Sequence, residues 1–461
     1  MKDVAERIKR IENELLGLPT GYISKKIING KERFYLQWME DGKLKSRYIK
    51  ANEYDDITAK VEKRKQLQEE RKSLKETPEG IRDYNLKRKA VRNMINITGT
   101  IMSEDRIIAT VKNGEITDYD EKLIPLYLKR TKNVEDWLAS RAIDAHRTNS
   151  RLLKKALRIR TADDAQIALA VNAANITDCY WFKPEGSAAV YEDVRFKENY
   201  FDSLALRGDP NGFSRKPSRT PELTNTGSYE KCWRLLDGQW WMYKSGSENE
   251  HFSELFICKL GEKSGMDIAH YEMDGDYIRT QNFTDGKKWN YEPISSLMGE
   301  NEDYNDCFET IYAISPTLAE QYLKIVWFDT VCYNMDRHTR NFGFLRDVES
   351  GEILSMAPNY DNNIALISRG YPNDVSRKGD GFIRFFRAFL AENSKAVQMY
   401  REMDLPVISE ETVAECLNEC PQQVDSEYIK SFIMNGQTIV QDLIHSEEIS
   451  EDEDGSKGLT L

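Results

Sequence analysis

Histidine is scarce in this chain, with 5 in 461 residues, and the 7 cysteines are scattered without one C-x-x-C pair. A zinc centre is therefore not expected, and neither is a disulfide framework. Cys416 and Cys420 lie one helical turn apart with no histidine nearby, so they read as packing residues. No apolar run approaches the roughly 20 residues that a membrane-spanning helix needs. Met1-Lys2-Asp3-Val4-Ala5 begins a charged helix rather than an apolar leader, and the expectation is a cytoplasmic protein without a membrane partner. Two phosphate-binding signatures are missing as well. Neither G-x-x-x-x-G-K-[ST] nor G-x-G-x-x-G occurs, which excludes a P-loop NTPase and an ordinary glycine-rich kinase loop.

What the chain does have is charge, unevenly spread. Its length exceeds one ordinary core, so two or three domains are expected. Residues 1–77 hold 19 basic and 14 acidic residues, a net of +5, while the remainder holds 46 basic and 63 acidic, a net of -17. Parts of opposite sign suit different partners.

Residues 1–17 read as an amphipathic helix with Val4, Ile8, Ile11 and Leu15 on one face. Three β-type runs follow at 21–27, 33–38 and 43–49, divided by the turn dipeptides Asn29-Gly30 and Asp41-Gly42, and then a charged helix from Asp56 to Glu76. The runs interleave Lys25, Lys26, Arg33, Lys43, Lys45 and Arg47 with Tyr22, Tyr35, Trp38 and Tyr48. That pattern suits either a nucleic-acid surface or a small sheet with a solvated lysine face. Pro78-Glu79-Gly80 marks a boundary. Residues 81–220 are mixed, with a basic helix expected from Trp137 to Leu157 that docks on acidic neighbours.

The chemistry begins at 221. Pro221 to Lys231 forms a loop of small residues expected between two strands, where Gly227 and Ser228 let backbone N–H groups approach phosphates. The return strand Gln239–Lys244 ends on Lys244, placed to reach nucleotide phosphates, and Glu254 on the next helix can pair with it. An apolar helix from Leu318 then delivers Asn334-Met335-Asp336-Arg337-His338-Thr339-Arg340-Asn341, and Asn359-Tyr360-Asp361-Asn362-Asn363 follows about twenty residues later. A hairpin of 341–345 and 352–357 would bring Asp361 back to Asp336. An Asp followed five residues on by an Asn, then by a second Asp, suits magnesium-dependent phosphoryl transfer. Asp336 can take the proton of an attacking hydroxyl, while Asn341 and Asp361 offer hard oxygen ligands to the metal. Regions 221–317 and 318–445 thus read as two lobes, and 446–461 as a disordered acidic tail.

These motifs, from Thr224-Asn225-Thr226-Gly227-Ser228-Tyr229-Glu230-Lys231 through Lys244 to the two Asp loops, resemble the HipA-like serine/threonine kinases of bacterial toxin–antitoxin modules over about 220–445. The resemblance implies an α+β, two-lobed protein-kinase-like fold, here with a small helix and three-stranded antiparallel sheet module in front. It implies ATP and Mg2+ as cofactors, Asp336 and His338 in the catalytic loop, Lys244 as the ATP lysine and Asn341 and Asp361 as metal ligands. It also implies a protein substrate, an antitoxin partner and self-inhibition by phosphorylation of Thr224, Thr226 or Ser228. Residues 1–77 lie outside the usual plan of the family, and 81–220 match its amino-terminal region poorly. Asp-Arg-His in place of His-Arg-Asp is shared with lipid kinases, so a lipid or small-molecule kinase is the alternative, with a DNA-binding regulator of kinase-like fold as the third reading.

Overall fold

β-branched and aromatic residues alternating with polar ones from 22 to 49 favour paired strands, and the computed structural model forms them. It describes residues 7, 10, 11, 14, 15, 18–28, 31–40, 43–76, 97–161, 163–284 and 288–443. Both turn dipeptides, the boundary at Pro78-Glu79-Gly80, the acidic tail and most of the helix expected at 1–17 lie outside these. Residues 7, 10, 11, 14 and 15 of that helix are helical. The chain divides into two units, Met1–Asn96 and Ile97–Leu461.

In the first unit β1 (Tyr22–Ile28), β2 (Lys31–Glu40) and β3 (Lys43–Ile49) form an antiparallel meander. The helix Tyr54–Glu76 covers one face, where Leu36, Ile49 and Ile57 are buried with Phe34, Trp38 and Val61 around them. The register corrects one expectation. Tyr35 stands opposite Ser24 and Tyr48, whereas Lys45 opposes Trp38, Arg47 opposes Leu36 and Lys25 opposes Phe34. Side chains alternate across a sheet, so these basic residues share the helix-covered face while Tyr35 and Tyr48 take the other. Arg33 lies on that second face too, with its guanidinium 5.9 Å from the centre of the Tyr48 ring, and Trp38 shares the first, so the interleaved residues divide between two mixed faces.

Among the described residues the second unit holds three sheets. β4 (Gly99–Ser103), β5 (Arg106–Lys112), β6 (Glu115–Tyr119) and β7 (Tyr180–Pro184) pair in the order β6-β5-β4-β7. β8 (Lys231–Leu236), β9 (Gln239–Lys244), β10 (Tyr271–Asp274) and β11 (Tyr277–Gln281) pair as β10-β11-β9-β8. β12 (Trp289–Pro293), β13 (Gly343–Asp347) and β14 (Ile353–Met356) form the third. β13 and β14 are the hairpin expected from the sequence. Gly343 is required there, because a Cβ would stand 2.2 Å from the Glu292 carbonyl oxygen across β12.

The basic helix expected from Trp137 to Leu157 is broken into Val134–Ser140 and Ser150–Ala156. Arg141 leaves the helical path to bond Asp178 at 2.8 and 3.0 Å and the Ala173 carbonyl at 2.7 Å. These pairings, made 32 and 37 residues away along the chain, outweigh local helix propensity. The acidic docking foreseen for this stretch is present in that pair.

The helix Pro316–Cys332 runs through the main core, starting at a Ser315 cap with Pro316 in its first turn. Trp327, Phe328, Tyr322 and Leu323 on it are all fully buried. It packs against the helices Gly381–Glu392 and Ser426–Asp442. Each such side chain contributes about 1.5 to 3 kcal/mol through burial. That rigid platform ends at the 334–341 loop.

Candidate active site

The site is built around Lys244. This last residue of β9 donates from Nζ to Glu254 Oε2 at 2.8 Å and to Asp361 Oδ1 at 2.6 Å, with Tyr271 OH 3.4 Å away. Glu254 is fully buried on the helix Glu248–Ser264, whose start is fixed by a capping box between Ser247 and Glu250 and whose end turns at Gly265. Its other oxygen accepts from the Asn362 backbone N–H at 2.8 Å. One carboxylate thus ties helix, strand and the 359–363 loop together. Burial pushes the Asp361 carboxyl up, but the charges of Lys244 and then Lys231 outweigh it and hold it at about 2. Burial dominates at Glu254 and raises its carboxyl.

The 334–341 loop leaves the core helix at Tyr333, which adopts a left-handed φ of 56° and turns the chain. Asn334 Oδ1 then accepts from the Asp336 backbone N–H at 3.0 Å. Arg337 is buried and bonds Asp329 at 2.7 and 2.9 Å, the carbonyls of Asn341 at 2.8 Å and Tyr360 at 2.6 Å, and the Oδ1 atoms of Asn359 and Asn362. A single guanidinium therefore locks the two Asp loops to each other. Asn341 donates from Nδ2 to the Asp336 carbonyl at 2.9 Å, so its Oδ1 is the atom available to a metal. His338 is held by the loop itself, its Nδ1 accepting from the Arg340 N–H at 3.2 Å. Burial raises the Asp336 carboxyl, His338 opposes this and Asp361 adds to it. Among the described residues the Asp336 carboxylate has no hydrogen-bond partner, and it lines a cleft of about 520 Å³ with Ser228, Tyr229, Glu230, Ser245 and Arg369.

The phosphate loop differs from expectation at its start. It joins the short turn Pro221–Thr224, not a strand, to β8. The turn forms because Thr220 caps it and Glu222 is drawn inside to accept from the Trp233 N–H at 2.7 Å. Thr224 is buried and donates to the carbonyls of Ala174 at 2.7 Å and Pro221 at 3.3 Å. Thr226, Gly227 and Ser228 are exposed. Gly227 has φ of +102°, and a Cβ there would lie 2.5 Å from Lys231 Nζ.

Of the eight residues singled out from the sequence, Ser228 and Asp336 line this cleft; Gly227 adjoins Ser228, Lys244, Glu254 and Asp361 form the buried cluster, and His338 and Asn341 share the loop of Asp336. Four others were missed. Lys231 stands across the sheet from Lys244, and burial lowers its ammonium to about 8 against the attraction of Asp361. Arg147, 1% exposed, pairs with Glu222 at 3.3 Å and bonds the carbonyls of Asn225 and Lys231, holding both ends of the phosphate loop. Tyr271 OH accepts from the Asp361 N–H at 3.2 Å. Arg369 reaches Tyr229 OH at 3.1 Å. The only signal available for Lys231 was its place at the end of the quoted loop motif.

The oxygen donors present fit magnesium: Asn341 and Asp361 are hard ligands, and Asp361 is kept ionised by Lys244. Residues 225–427 match the HipA-like C-terminal domain, and residues 1–59 match a domain of unknown function, DUF6788. No curated protein matches. Among solved structures, the chain is similar to Shewanella oneidensis MR-1 HipA, taken from a complex with HipB and operator DNA, at 12% identity and a TM-score of 0.50, covering 76% of this chain and 100% of that one. The Helicobacter pylori proinflammatory kinase CtkA matches at 18% identity and a TM-score of 0.39, covering 47% of this chain and 92% of that one. At 12% identity the HipA likeness is one of fold, and its coverage of 76% carries that fold beyond residues 225–427, into regions where sequence motifs fade. Residues 225–427 thus match the HipA-like C-terminal domain, and the fold around them is like that of HipA.

Proposed function

We propose that the chain is an ATP- and magnesium-dependent serine/threonine protein kinase of HipA type. The observation that carries this reading is the buried Lys244–Glu254–Asp361 cluster, whose Lys244 immediately precedes Ser245 in the wall of a cleft that Asp336 also lines. In the reading, Lys244 and the backbone of Gly227 and Ser228 hold the nucleotide phosphates. Asn341 and Asp361 would hold the metal, which when bound offsets the charge on those phosphates. Asp336 accepts the proton of the acceptor hydroxyl, a task helped by its raised carboxyl pKa. The charges of His338 and Arg337 favour the ionised form of that carboxylate against burial.

Partners follow from the same reading. The HipA likeness comes from a complex with HipB and operator DNA, which supports an antitoxin partner and a nucleic-acid contact for this chain as well. The first unit is the part suited to such a contact, since residues 1–96 carry 24 basic and 16 acidic residues, a net of +8. Phosphorylation of the exposed loop hydroxyls would place negative charge where nucleotide phosphates sit, and so switch the enzyme off. No observation at the site favours the lipid-kinase alternative, and no helix among the described residues is long and apolar enough to cross a membrane. The test is transfer of label from γ-labelled ATP to protein serine or threonine by the purified chain, with and without chelator. Chelator-resistant transfer, or label appearing only in lipid, would contradict the proposal.

A further inference from the structure

Moving a phosphoryl group requires positive charge at the migrating group's own oxygens, beyond the charge that binds the nucleotide. The cations near the cleft are mostly committed elsewhere. Lys244 is bonded to two carboxylates at 2.8 and 2.6 Å. Arg337 is fully occupied in locking the two Asp loops, with its side chain 1% exposed. Arg147 is buried against Glu222 behind the phosphate loop. Lys231 lies beneath Gly227.

Of the nine residues that line the cleft, Arg369 is the single cation. It stands on a rigid base. Ala365, Leu366 and Ile367 before it are fully buried, and the chain is closed by turns from Ser368 N–H to the Ala365 carbonyl at 2.9 Å and from Gly370 N–H to the Ile367 carbonyl at 2.8 Å. Its side chain is 61% exposed, and it is held lightly, by Tyr229 OH at 3.1 Å and Glu250 Oε1 at 3.6 Å. These occupy at most two of the five N–H donors of a guanidinium. Through Tyr229 it reaches the phosphate loop, and it shares the cleft wall with Ser228 and Asp336.

We propose that Arg369 is the catalytic cation that meets the transferred phosphoryl group, an inference that rests on the kinase reading above. In the step, the acceptor oxygen bonds to the γ-phosphorus, the bond from that phosphorus to the β,γ-bridging oxygen breaks, and ADP departs. The hydroxyl proton passes to Asp336. Arg369 forms no covalent bond; its N–H groups donate to the equatorial oxygens as their charge spreads. Its planar fork suits this task better than a lysine. Arg369 lies outside every motif, 33 residues after Asp336 and 8 after Asp361, so nothing in the local pattern announces it.

The experiment compares the full-length wild type with Arg369→Gln and Arg369→Lys, measuring kcat, KM for ATP, the ratio of ATP to ADP affinity, and thermal midpoint. The exposed side chain makes folding defects easy to detect by the midpoint. Arg369→Gln is expected to lower kcat about 100-fold and to leave the midpoint, KM for ATP and the ratio of ATP to ADP affinity nearly unchanged, with Arg369→Lys recovering part of kcat. Unchanged kcat in Arg369→Gln, or a loss confined to KM for the protein acceptor, overturns the inference while the kinase reading stands. A wild type that transfers no phosphate overturns both.

Discussion

Lys244 and Asp361 are 117 residues apart in the chain and 2.6 Å apart in space, and Lys244 also holds the buried Glu254 at 2.8 Å. Replacing Lys244 by Met strands two carboxylates in a low-dielectric site. The loss of stability should be about 3 to 5 kcal/mol by denaturant unfolding, together with loss of ATP turnover. Adding Glu254→Gln to Lys244→Met should return part of the stability and none of the activity. Activity retained in Lys244→Met would show that the cluster serves folding alone.

Lys231 predicts a pH dependence. Its ammonium is lowered to about 8 by burial, opposed by Asp361 and reinforced by Arg147 and Lys244. The free protein therefore loses this positive charge as pH rises through about 8, and ATP affinity should fall across that pH. For stability the sign is reversed: a lysine whose folded pKa is depressed leaves the folded state with fewer protons than the unfolded one. Stability from this group should then rise from about pH 8 toward the ordinary lysine value. The guanidinium introduced by Lys231→Arg stays charged throughout, so both trends should flatten; ATP titrations across that range check it.

If the loop modifies itself as proposed, its exposed hydroxyls are the ones within reach. Thr224 is sealed by two hydrogen bonds, whereas Ser228 is exposed and lines the cleft with Asp336. After incubation with Mg-ATP, phosphosite mapping over time should find Ser228 ahead of Thr224. Thr224 modified alone would mean that the loop leaves its seat before transfer.

The catalytic loops were legible in the sequence because each is contiguous: Asp336 and Asn341 ride one turn, and the hairpin that returns Asp361 has a turn of its own at 349–351. Lys244 could be read from the end of its apolar strand. What could not be read was every partner chosen across the fold. Arg147 looked like one more base on a long helix, and only burial beside Glu222, 75 residues on, makes it the clamp of the phosphate loop. Arg141 broke that same helix for Asp178. In the first unit the residue types were legible but their faces were not, since a period of two separates Lys45 from Tyr48 whatever the composition.

For the first unit the expected outcome is salt-dependent binding of the whole chain to nucleic acid. Replacing Lys25, Lys45 and Arg47 together by Gln should weaken it and reduce its salt slope by about 3, one for each phosphate no longer neutralised. Substitution of the opposite face at Tyr22 and Tyr48 should have the smaller effect if charge governs the binding. Mobility shift over a salt series reads both. Unaltered binding in the triple variant would assign the sheet to protein docking.

The kinase account stands or falls on Asp336. In Asp336→Asn the proton acceptor is lost while Lys244, Asn341 and Asp361 keep their places, so labelled phosphate transfer should fall by more than about 100-fold with ATP binding preserved. Phosphoserine or phosphothreonine formed at the wild-type rate by Asp336→Asn would contradict it.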